Sequence, residues 1–341
     1  TVPLLLAIYT WWSLIEYKEW KKSPIYFIGS QAPQPPLRIL LWTWPFNGNP
    51  LALSDCPLSY QNTARCRLTA NRSPLESADA VLFHHRDLSK GFPDLPPSPR
   101  PPGQPWVWAS MESPSNSGLN DLRDGYFNWT LSYRADSDAF HPYGYLEPRL
   151  SQVVNAPLLS AKRKGAAWVV SNCNTRSKRE RFYKQLNKHL QVDVGGRVAN
   201  PLPLKVGCLV ETLSQYKFYL AFENSQHYDY VTEKLWKNAL QAGTIPVVLG
   251  PRAVYEDFVP PKSFIHVDDF KSPKELADYL LYLDTNPTAY SEYFEWRYDL
   301  RVRLFSWDAL RYDEGFCRVC RLLQNAPDRY KTYPNIAKWF Q

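Results

Sequence analysis

The chain of 341 residues is long enough to form two domains, each with its own hydrophobic core. Its 40 lysines and arginines exceed its 33 aspartates and glutamates, which gives a net charge of +7. That charge favours an anionic ligand such as a sugar nucleotide, a sialylated glycan or a nucleic acid, although a solvated basic surface gives the same balance. The sequence has no Walker A, G-x-S-x-G, H-E-x-x-H or aromatic RNA-binding signature, which excludes the classes of protein that those motifs define.

The N-terminal residues predict a membrane anchor followed by a stem. Residues 2–15 are apolar and basic residues follow them, but this stretch is short for a bilayer span. Because the only methionine is Met111, we expect residues 1–16 to be the truncated end of a signal-anchor with an aromatic interfacial belt. An apolar helix docked on the folded body is the alternative. Residues 17–37 are rich in proline, as is typical of a stem or linker.

Residues 38–150 are predicted to form a first α/β domain. Three of its stretches have the composition of strands, namely residues 38–44, 78–83 and 105–109. The first two are apolar enough for a parallel sheet that is covered on both faces. Glu112 follows the third strand and should lie at its C-terminal edge. One positioned carboxylate at such an edge can act as a general base, although a surface or capping role is the more common one.

Residues 151–320 are predicted to form a second domain built from two strand–helix–strand units. The first unit comprises residues 166–170, 176–190 and 192–194, and the second comprises residues 218–222, 231–241 and 245–249. Two such units in succession favour a doubly wound parallel sheet. A further helix is predicted over residues 274–284, and residues 321–341 form a C-terminal segment.

The loop between strand 218–222 and helix 231–241 is polar, and it lies where open α/β sheets bind their ligands. A helix N-terminus also attracts anions. Lys234 lies in the first turn of this helix, where its charge opposes the helix dipole unless an anion is close. The sequence therefore predicts an anion next to Lys234. The adjacent pair Asp268 and Asp269 suggests a metal site, although the two acids are consecutive and not separated by one residue.

The cysteines and sequons favour an oxidising, luminal compartment. Six cysteines are present, at positions Cys56, Cys66, Cys173, Cys208, Cys317 and Cys320. A zinc site or a redox motif at Cys317–Cys320 would need a second C-x-x-C or a surrounding βαβ unit, so a structural disulfide is the better interpretation. Cys173 and Cys208 either pair or stay free. Asn71 and Asn128 are in glycosylation sequons.

Five sequence blocks resemble the α-1,3-fucosyltransferases, glycosyltransferase family ten. The longest is F-E-N followed by DYVTEKLWKNALQAGTIPVVLGP, within residues 218–251. The others are FHHRDL (83–88), PWVWASMESPS (105–115), AWVVSN (167–172) and SFIHVDDF (263–270). Together they cover residues 38–341, and several look most similar to the leukocyte-type vertebrate subfamily.

The resemblance implies a glycosyltransferase-B fold, in which two Rossmann-like domains face a cleft and the C-terminal segment returns to the first domain. It also implies a single-pass type II Golgi membrane protein with a luminal catalytic domain and no nucleic-acid partner. The implied reaction is an inverting transfer of L-fucose from GDP-β-L-fucose to O3 of GlcNAc. The acceptor would be type 2 N-acetyllactosamine, here α2,3-sialylated, giving a sialyl Lewis x type product. Alternatives are another acceptor (neutral lactosamine or core chitobiose) or a non-catalytic Golgi protein that binds glycans or GDP.

The resemblance also assigns roles to individual residues. Glu112 matches the base, and Arg179 and Lys234 match the residues that neutralise the diphosphate. Other donor-binding positions are Ser171, Asn172, Tyr219, Asn224, Tyr230 and Glu233. Arg86 matches the position that selects Galβ1-4GlcNAc acceptors, unless it forms a buried structural salt bridge with Asp87 or another acid.

The resemblance bears on disulfides and cofactors as well. It implies a disulfide between Cys56 and Cys66, which would close a short loop. No cofactor is expected, because glycosyltransferase-B enzymes neutralise the diphosphate with basic residues and helix ends. A divalent metal at Asp268 and Asp269 is therefore possible but not expected.

Overall fold

A computed structural model describes most of the chain after the predicted stem. The described residues are 35–44, 56, 66–88, 95–96, 100–119, 124–149, 162, 164–172, 175, 177–196, 208–305, 313–325 and 330–341. The predicted anchor, nearly all of the stem and Cys173 lie outside them. Among the helices that are described, none has the length and hydropathy needed to cross a bilayer.

The described strands are β1 (Leu37–Thr43), β2 (Cys66–Thr69), β3 (Ala80–His84), β4 (Trp106–Ser110), β5 (Trp129–Ser132), β6 (Ala139–Phe140), β7 (Gly144–Pro148), β8 (Lys164–Val169), β9 (Val192–Gly195), β10 (Tyr216–Phe222), β11 (Ile245–Leu249), β12 (Ile265–His266) and β13 (Leu300–Leu304). The described α-helices are α1 (Pro114–Ser117), α2 (Arg179–Leu186), α3 (Leu209–Leu213), α4 (Arg252–Glu256), α5 (Pro273–Thr285), α6 (Pro287–Glu292), α7 (Asp313–Asn325) and α8 (Ile336–Phe340). A π-helix spans Lys234–Gln241, and short 3₁₀ turns include His85–Asp87 and Val267–Asp269.

The first sheet is parallel and has the strand order β2-β1-β3-β4-β5-β6. Its side chains alternate between two faces, as the period-two geometry of a strand requires. Along β1, Ile39 and Leu41 face a cluster that includes helix α7, whereas Leu40 and Trp42 face a cluster that includes helix α8. The C-terminal helices therefore return to this sheet and cover both faces. The returning segment begins at Asp313, earlier in the chain than predicted.

The second sheet is also parallel and has the order β12-β11-β10-β8-β9. The chain leaves β8 towards β9 and then returns to the other side of β8 to form β10. The strand order therefore reverses between β8 and β10, and the C-terminal ends of these two strands border the reversal. Each predicted strand–helix–strand unit forms one parallel pair. The short antiparallel pair β7–β13 stands apart from both sheets.

Two predicted helices differ in length or type from the observed ones. The basic helix α2 begins at Arg179, because Lys178 has a left-handed backbone with φ of 58°. The helix after β10 is a π-helix, a rare type that is frequent at functional sites. Its Trp236 packs against Gly144 so closely that a β-carbon there would lie 2.7 Å from the indole. The boundary predicted near residue 150 stays a prediction.

The predicted disulfide pairing is wrong, although all four predicted cysteines are disulfide-bonded. Cys56 pairs with Cys317, and Cys66 pairs with Cys320. Cys317 and Cys320 are three residues apart within α7, so both side chains lie on the face that packs against the first sheet. They meet Cys56 and Cys66 there. The two bonds fasten the C-terminal helix to the start of the first sheet instead of closing two short loops.

Candidate active site

The candidate site lies where the C-terminal ends of the two sheets' strands approach each other. Glu112 follows β4 of the first sheet by two residues. Glu223 directly follows β10 of the second sheet. The loop from Asn224 to Tyr230 leads from β10 to the π-helix and contacts the loop that carries Glu112. Loops of both sheets thus form one site.

One oxygen of the Glu112 carboxylate is held by two donors. The Tyr230 hydroxyl donates to Oε1 at 2.7 Å, and the Ser113 backbone N–H donates to the same atom at 3.0 Å. Among the described residues, none donates to Oε2. The backbone around Glu112 is fixed as well, because the Tyr143 hydroxyl donates to the carbonyl of Met111 at 2.6 Å. The carboxylate is therefore oriented, with one oxygen available.

Two buried tyrosines, Tyr133 and Tyr230, and the half-buried Tyr143 lie around this carboxylate. Tyr230 packs edge-on against Tyr133 at 5.0 Å and against Tyr143 at 6.5 Å between ring centroids. Burial raises the pKa of each of the three phenols above its ordinary value, and the negative charge of Glu112 adds to the effect. The tyrosines consequently stay protonated near neutral pH, and Tyr143 and Tyr230 act as neutral donors.

Lys234 finds its predicted anion within the protein. Its ammonium lies 3.2 Å from Glu223 Oε2 and 3.0 Å from Glu233 Oε1. Glu223 is buried and accepts from both the backbone N–H and the hydroxyl of Thr232, at 2.8 and 2.9 Å. The two carboxylates balance the charge of a cation at a helix start, which would be unfavourable alone.

The pKa values of this cluster follow from burial and charge together. Burial lowers the pKa of Lys234, but the charges of Glu223 and Glu233 outweigh that effect and raise it above its ordinary value. Burial raises the pKa of Glu223, and Lys234 offsets only part of the rise. For Glu233, the ammonium of Lys234 outweighs burial and the pKa is lowered. Lys234 is thus a stable cation at this edge.

Four hydrogen bonds connect the loop after β10 to loops of the first sheet. The pairs are Ser225–Ser113 at 2.6 Å, His227–Ser115 at 2.6 Å, Asp229–Ala135 at 2.8 Å and Tyr230–Glu112 at 2.7 Å. Asp229 has a left-handed backbone with φ of 58°, which turns the chain between two of these contacts. We call residues 225–230 the bridging loop. It aligns the Glu112 side of the site with the Lys234 side.

Arg179 organises the edge between β8 and β10. It is 2% exposed, and its guanidinium donates to the carbonyls of Phe222 at 2.9 Å and Asn172 at 2.6 Å, and to Glu180 at 3.2 Å. A guanidinium has five N–H donors, so two are left after these bonds. A ligand must enter the edge itself to reach them. Arg179 thereby fixes the ends of both strands at the reversal point.

Comparison with known proteins decides the family. A profile described as "Fucosyltransferase, N-terminal" matches residues 34–144, and "Glycosyltransferase family 10 (fucosyltransferase) C-term" matches residues 159–339. The chain belongs to glycosyltransferase family 10. The predicted recognition is therefore confirmed.

Individual relatives agree with this membership. A 3-galactosyl-N-acetylglucosaminide 4-alpha-L-fucosyltransferase from Bos taurus is 61% identical, over 90% of this chain and 82% of the relative. Alpha-(1,3)-fucosyltransferase 7 from Homo sapiens is 54% identical, over 92% of this chain and 89% of the relative. A crystal structure of an alpha1,3-fucosyltransferase with GDP-fucose aligns with a TM-score of 0.55 and 25% identity, over 91% of this chain and 96% of that one.

The predicted fold class and enzyme class are also confirmed. The two parallel sheets, with joined C-terminal edges, are those of a glycosyltransferase-B type fold, and the solved fucosyltransferase shares them. The family-10 chain is a glycosyltransferase, specifically an α-1,3-fucosyltransferase. Its acceptor is a separate matter, because the names of the relatives given above specify different linkages.

Most predicted donor residues lie at the C-terminal edge of the second sheet, but Tyr219 does not. Ser171 and Asn172 follow β8 and are exposed, and Asn224 follows β10. Tyr219 is 0% exposed, and its hydroxyl accepts from Asn238 at 3.1 Å. The predicted donor contact at Tyr219 stays a prediction. The residue lies three positions below the end of a central strand that is covered on both faces.

Tyr230 and Arg86 occupy informative places. Tyr230 was predicted to bind the donor, yet its hydroxyl contacts the Glu112 carboxylate.

Arg86 is exposed in the turn after β3, where the strand order of the first sheet reverses between β1 and β3. The Asp87 carboxylate is held by an ion pair with His84, and not by the predicted alternative, an ion pair with Arg86. Arg86 therefore stays a candidate for acceptor binding.

Sequence reasoning missed the residues that join the two sheets. Ser113, Ser225 and Asp229 are short polar side chains in loops, and no pattern in the sequence distinguishes them from other loop residues. Tyr143 was missed too, because a tyrosine before a strand is more often a core residue. Thr232 offered a usable signal, since Ser or Thr near a helix start commonly binds backbone or acidic groups.

The remaining predicted sites are placed as follows. Asn71 is exposed, whereas Asn128 is 5% exposed and its amide donates to the Lys331 carbonyl at 2.9 Å, so a glycan there would require rearrangement. Cys208 has a free thiol in the described structure. Asp269 pairs with Arg252, and the described residues contain no cluster of three or more His, Cys, Asp or Glu side chains suited to a metal.

Proposed function

We propose that this fucosyltransferase transfers L-fucose, with inversion, from GDP-β-L-fucose to O3 of GlcNAc in α2,3-sialylated type 2 N-acetyllactosamine. The product is a sialyl Lewis x type glycan. The observation that carries the proposal is the bond from Tyr230 to Glu112, which joins the loop before Lys234 to the carboxylate after β4. It supports a mechanism in which an oriented base and a cation act from two sides of one site.

The roles follow from the charges that the reaction creates. The acceptor O3–H gives its proton to Glu112 as O3 attacks C1 of fucose. The bond between C1 and the phosphate oxygen breaks, and its electron pair leaves with GDP. Lys234, with Arg179 at the same edge, stabilises the negative charge on the departing diphosphate. The polar edge formed by Ser171, Asn172, Asn224 and Glu233 binds the rest of the donor.

We also propose that the reaction needs no cofactor or metal. Lys234 already supplies a compensated cation at a helix start, and the N-terminus of the π-helix adds positive charge. Asp269, one of the two acids that suggested a metal, is paired with Arg252. The proposal predicts that EDTA leaves the rate of transfer unchanged within about twofold.

The type 2 acceptor is the choice that Arg86 supports. It is exposed at the reversal point of the first sheet, where a glycan can reach it. The second candidate is transfer to O4 of GlcNAc in a type 1 acceptor, Galβ1-3GlcNAc. That candidate is favoured by the relative from Bos taurus, whose name specifies a 3-galactosyl acceptor and a 4-alpha linkage.

One assay separates these acceptors. The chain is incubated with GDP-fucose and, in parallel, with sialylated type 2, neutral type 2 and type 1 oligosaccharides, and the product linkages are assigned by NMR. Fucose on O3 of the sialylated acceptor alone is the expected result. Transfer to both type 2 acceptors would keep the reaction and remove the sialic acid requirement, and transfer to O4 of the type 1 acceptor would establish the second candidate. Bound GDP without any transfer would favour a non-catalytic role.

We propose a Golgi location with a luminal catalytic part and an N-terminal anchor. Two disulfides among the described residues suit an oxidising compartment. Residues 2–15 are apolar, as an anchor requires. Expression in mammalian cells, followed by glycosidase digestion of the Asn71→Gln variant and the parent chain, tests the luminal orientation. Digestion should change the electrophoretic mobility of the parent chain but not that of the variant. An unchanged mobility of both chains would argue against the luminal orientation.

A further inference from the structure

The hydrogen bonds at Glu112 distinguish its two carboxylate oxygens. Oε1 accepts from the Tyr230 hydroxyl at 2.7 Å and from the Ser113 N–H at 3.0 Å. No described residue donates to Oε2. A carboxylate oxygen that already accepts two hydrogen bonds is a weaker base than its partner, because proton binding there must compete with both donors.

Tyr230 is held firmly enough to determine the orientation of Glu112. The residue is 4% exposed, and its ring packs between Tyr133 and Tyr143. The backbone before it is fixed because Asp229 accepts a hydrogen bond from the Ala135 N–H at 2.8 Å. A phenol has one rotatable hydroxyl and a rigid ring, so its oxygen has little freedom once the ring is packed.

We infer that Tyr230 is a positioning residue for the base, and that Oε2 of Glu112 is the atom that takes the acceptor's proton. This inference rests on the proposed function. The Tyr230 hydroxyl and the Ser113 N–H hold Oε1 and stabilise the ionised carboxylate. Because the carboxyl group is then fixed in orientation, the direction of Oε2 is fixed as well. The proton moves from O3 to Oε2, the O3–C1 bond forms, and the electron pair of the broken C1–O bond leaves with GDP.

Several charged and titratable groups lie around Glu112. The nearest titratable groups are the phenols of Tyr133, Tyr143 and Tyr230. Four charged side chains act on these phenols, namely Arg134, Glu223, Asp229 and Glu233. Lys234 lies beside the two glutamates. Burial raises the pKa of all three phenols, so they do not titrate together with a carboxylate. His85 and His227 contact Ser117 and Ser115 of the segment that follows Glu112, and they are unchanged in every variant below. A movement of the acid limb between variants therefore reports on the hydrogen bonds to Glu112.

The test is the pH dependence of kcat and KM for Tyr230→Phe, which removes only the hydroxyl. Because the ionised base loses a hydrogen-bond donor, the midpoint of the acid limb of kcat should move up by about one pH unit. We expect kcat at the optimum to fall by about 10- to 100-fold, because the base is less well oriented. The KM for GDP-fucose should change by less than about twofold.

Tyr143→Phe is the matched control. It removes a hydroxyl that is equally close to the site but donates to the Met111 carbonyl, not to the carboxylate. Its acid limb should coincide with that of the parent chain. A merely structural role for Tyr230 would lower kcat without moving the limb, and that result would overturn the inference. A large rise in the KM for GDP-fucose with an unmoved limb would return Tyr230 to donor binding.

A second substitution covers the case in which Tyr230→Phe does not fold. Replacing Tyr230 with 3-fluorotyrosine keeps the shape and makes the phenol a stronger donor, so the acid limb should move to lower pH. An unmoved limb in that variant would contradict the inference. Failure of the proposed function itself is recognised by a different variant. If Glu112 is not the base, Glu112→Gln retains transfer, whatever the results for the Tyr230 variants.

Discussion

At the scale of single residues, Lys234 lies at a helix start and is compensated by two carboxylates. Its place in the first helical turn predicted a nearby anion, and the structure supplies two carboxylates at 3.0 and 3.2 Å. Which anions these would be was not predictable. Glu223 reaches Lys234 because Thr232 holds its carboxylate, and that contact depends on the path of the loop between them.

Lys162 gives a residue-scale prediction about stability and pH. It is buried, and its ammonium donates to the carbonyls of Ser214 and Tyr216, both at 2.9 Å. Burial, with a smaller contribution from Arg297, lowers its pKa from 10.5 to about 7. Between these two values the unfolded chain holds a proton that the folded chain lacks. The free energy of unfolding should therefore rise with pH in this range, by at most about 1.4 kcal/mol per unit.

Thermal denaturation between pH 7 and pH 9 measures this effect. The melting temperature of the parent chain should rise with pH, and Lys162→Met should flatten the rise. Lys188→Met, which alters an exposed lysine, is the control and should leave the slope unchanged. Parallel curves for the parent chain and Lys162→Met would show that Lys162 does not hold the lowered pKa.

Among the elements, strands were predicted better than helices and disulfides. Buried parallel strands are continuous apolar runs, so β3, β4, β10 and β11 were found within two residues of their bounds. The helix after β10 was expected to be an α-helix, because an apolar stripe does not distinguish α from π geometry over two turns. The disulfide partners were missed because they lie 254 and 261 residues apart, and spacing carries no information about such pairs.

Peptide mapping under non-reducing conditions tests the observed pairing. Trypsin cleaves after Arg65, Arg67 and Arg318, which places the four cysteines on four separate peptides. We expect mass spectrometry to find the Cys56 peptide joined to the Cys317 peptide, and Cys66 joined to Cys320. Cys66→Ala with Cys320→Ala should also lower the free energy of unfolding by roughly 3 kcal/mol in the loop-entropy model, because the remaining Cys56–Cys317 bond already closes the long loop. A Cys56–Cys66 linked species would restore the short-loop pairing.

Across the whole molecule, two α/β sheets could be predicted, and the residues that connect them could not. The order of strand–helix–strand units decides the parallel topology. The alignment of the two C-terminal edges depends on the bridging loop and on α7 and α8, which return across the chain to the first sheet. Such contacts join residues more than 100 positions apart in sequence, such as Ser113 and Ser225. The candidate base and cation were therefore found separately, and only the structure joins them in one site.

In the proposed mechanism, Glu112 of the first sheet acts as the base of the fucosyl transfer, whereas the edge of the second sheet binds GDP. The most direct measurement compares the parent chain with Glu112→Gln, following fucose transfer from GDP-fucose to sialylated type 2 lactosamine and, in parallel, GDP binding by calorimetry. The account predicts that transfer falls by at least about 100-fold, while the dissociation constant for GDP stays within about twofold. Retained transfer, or equal loss of transfer and GDP binding, would contradict it.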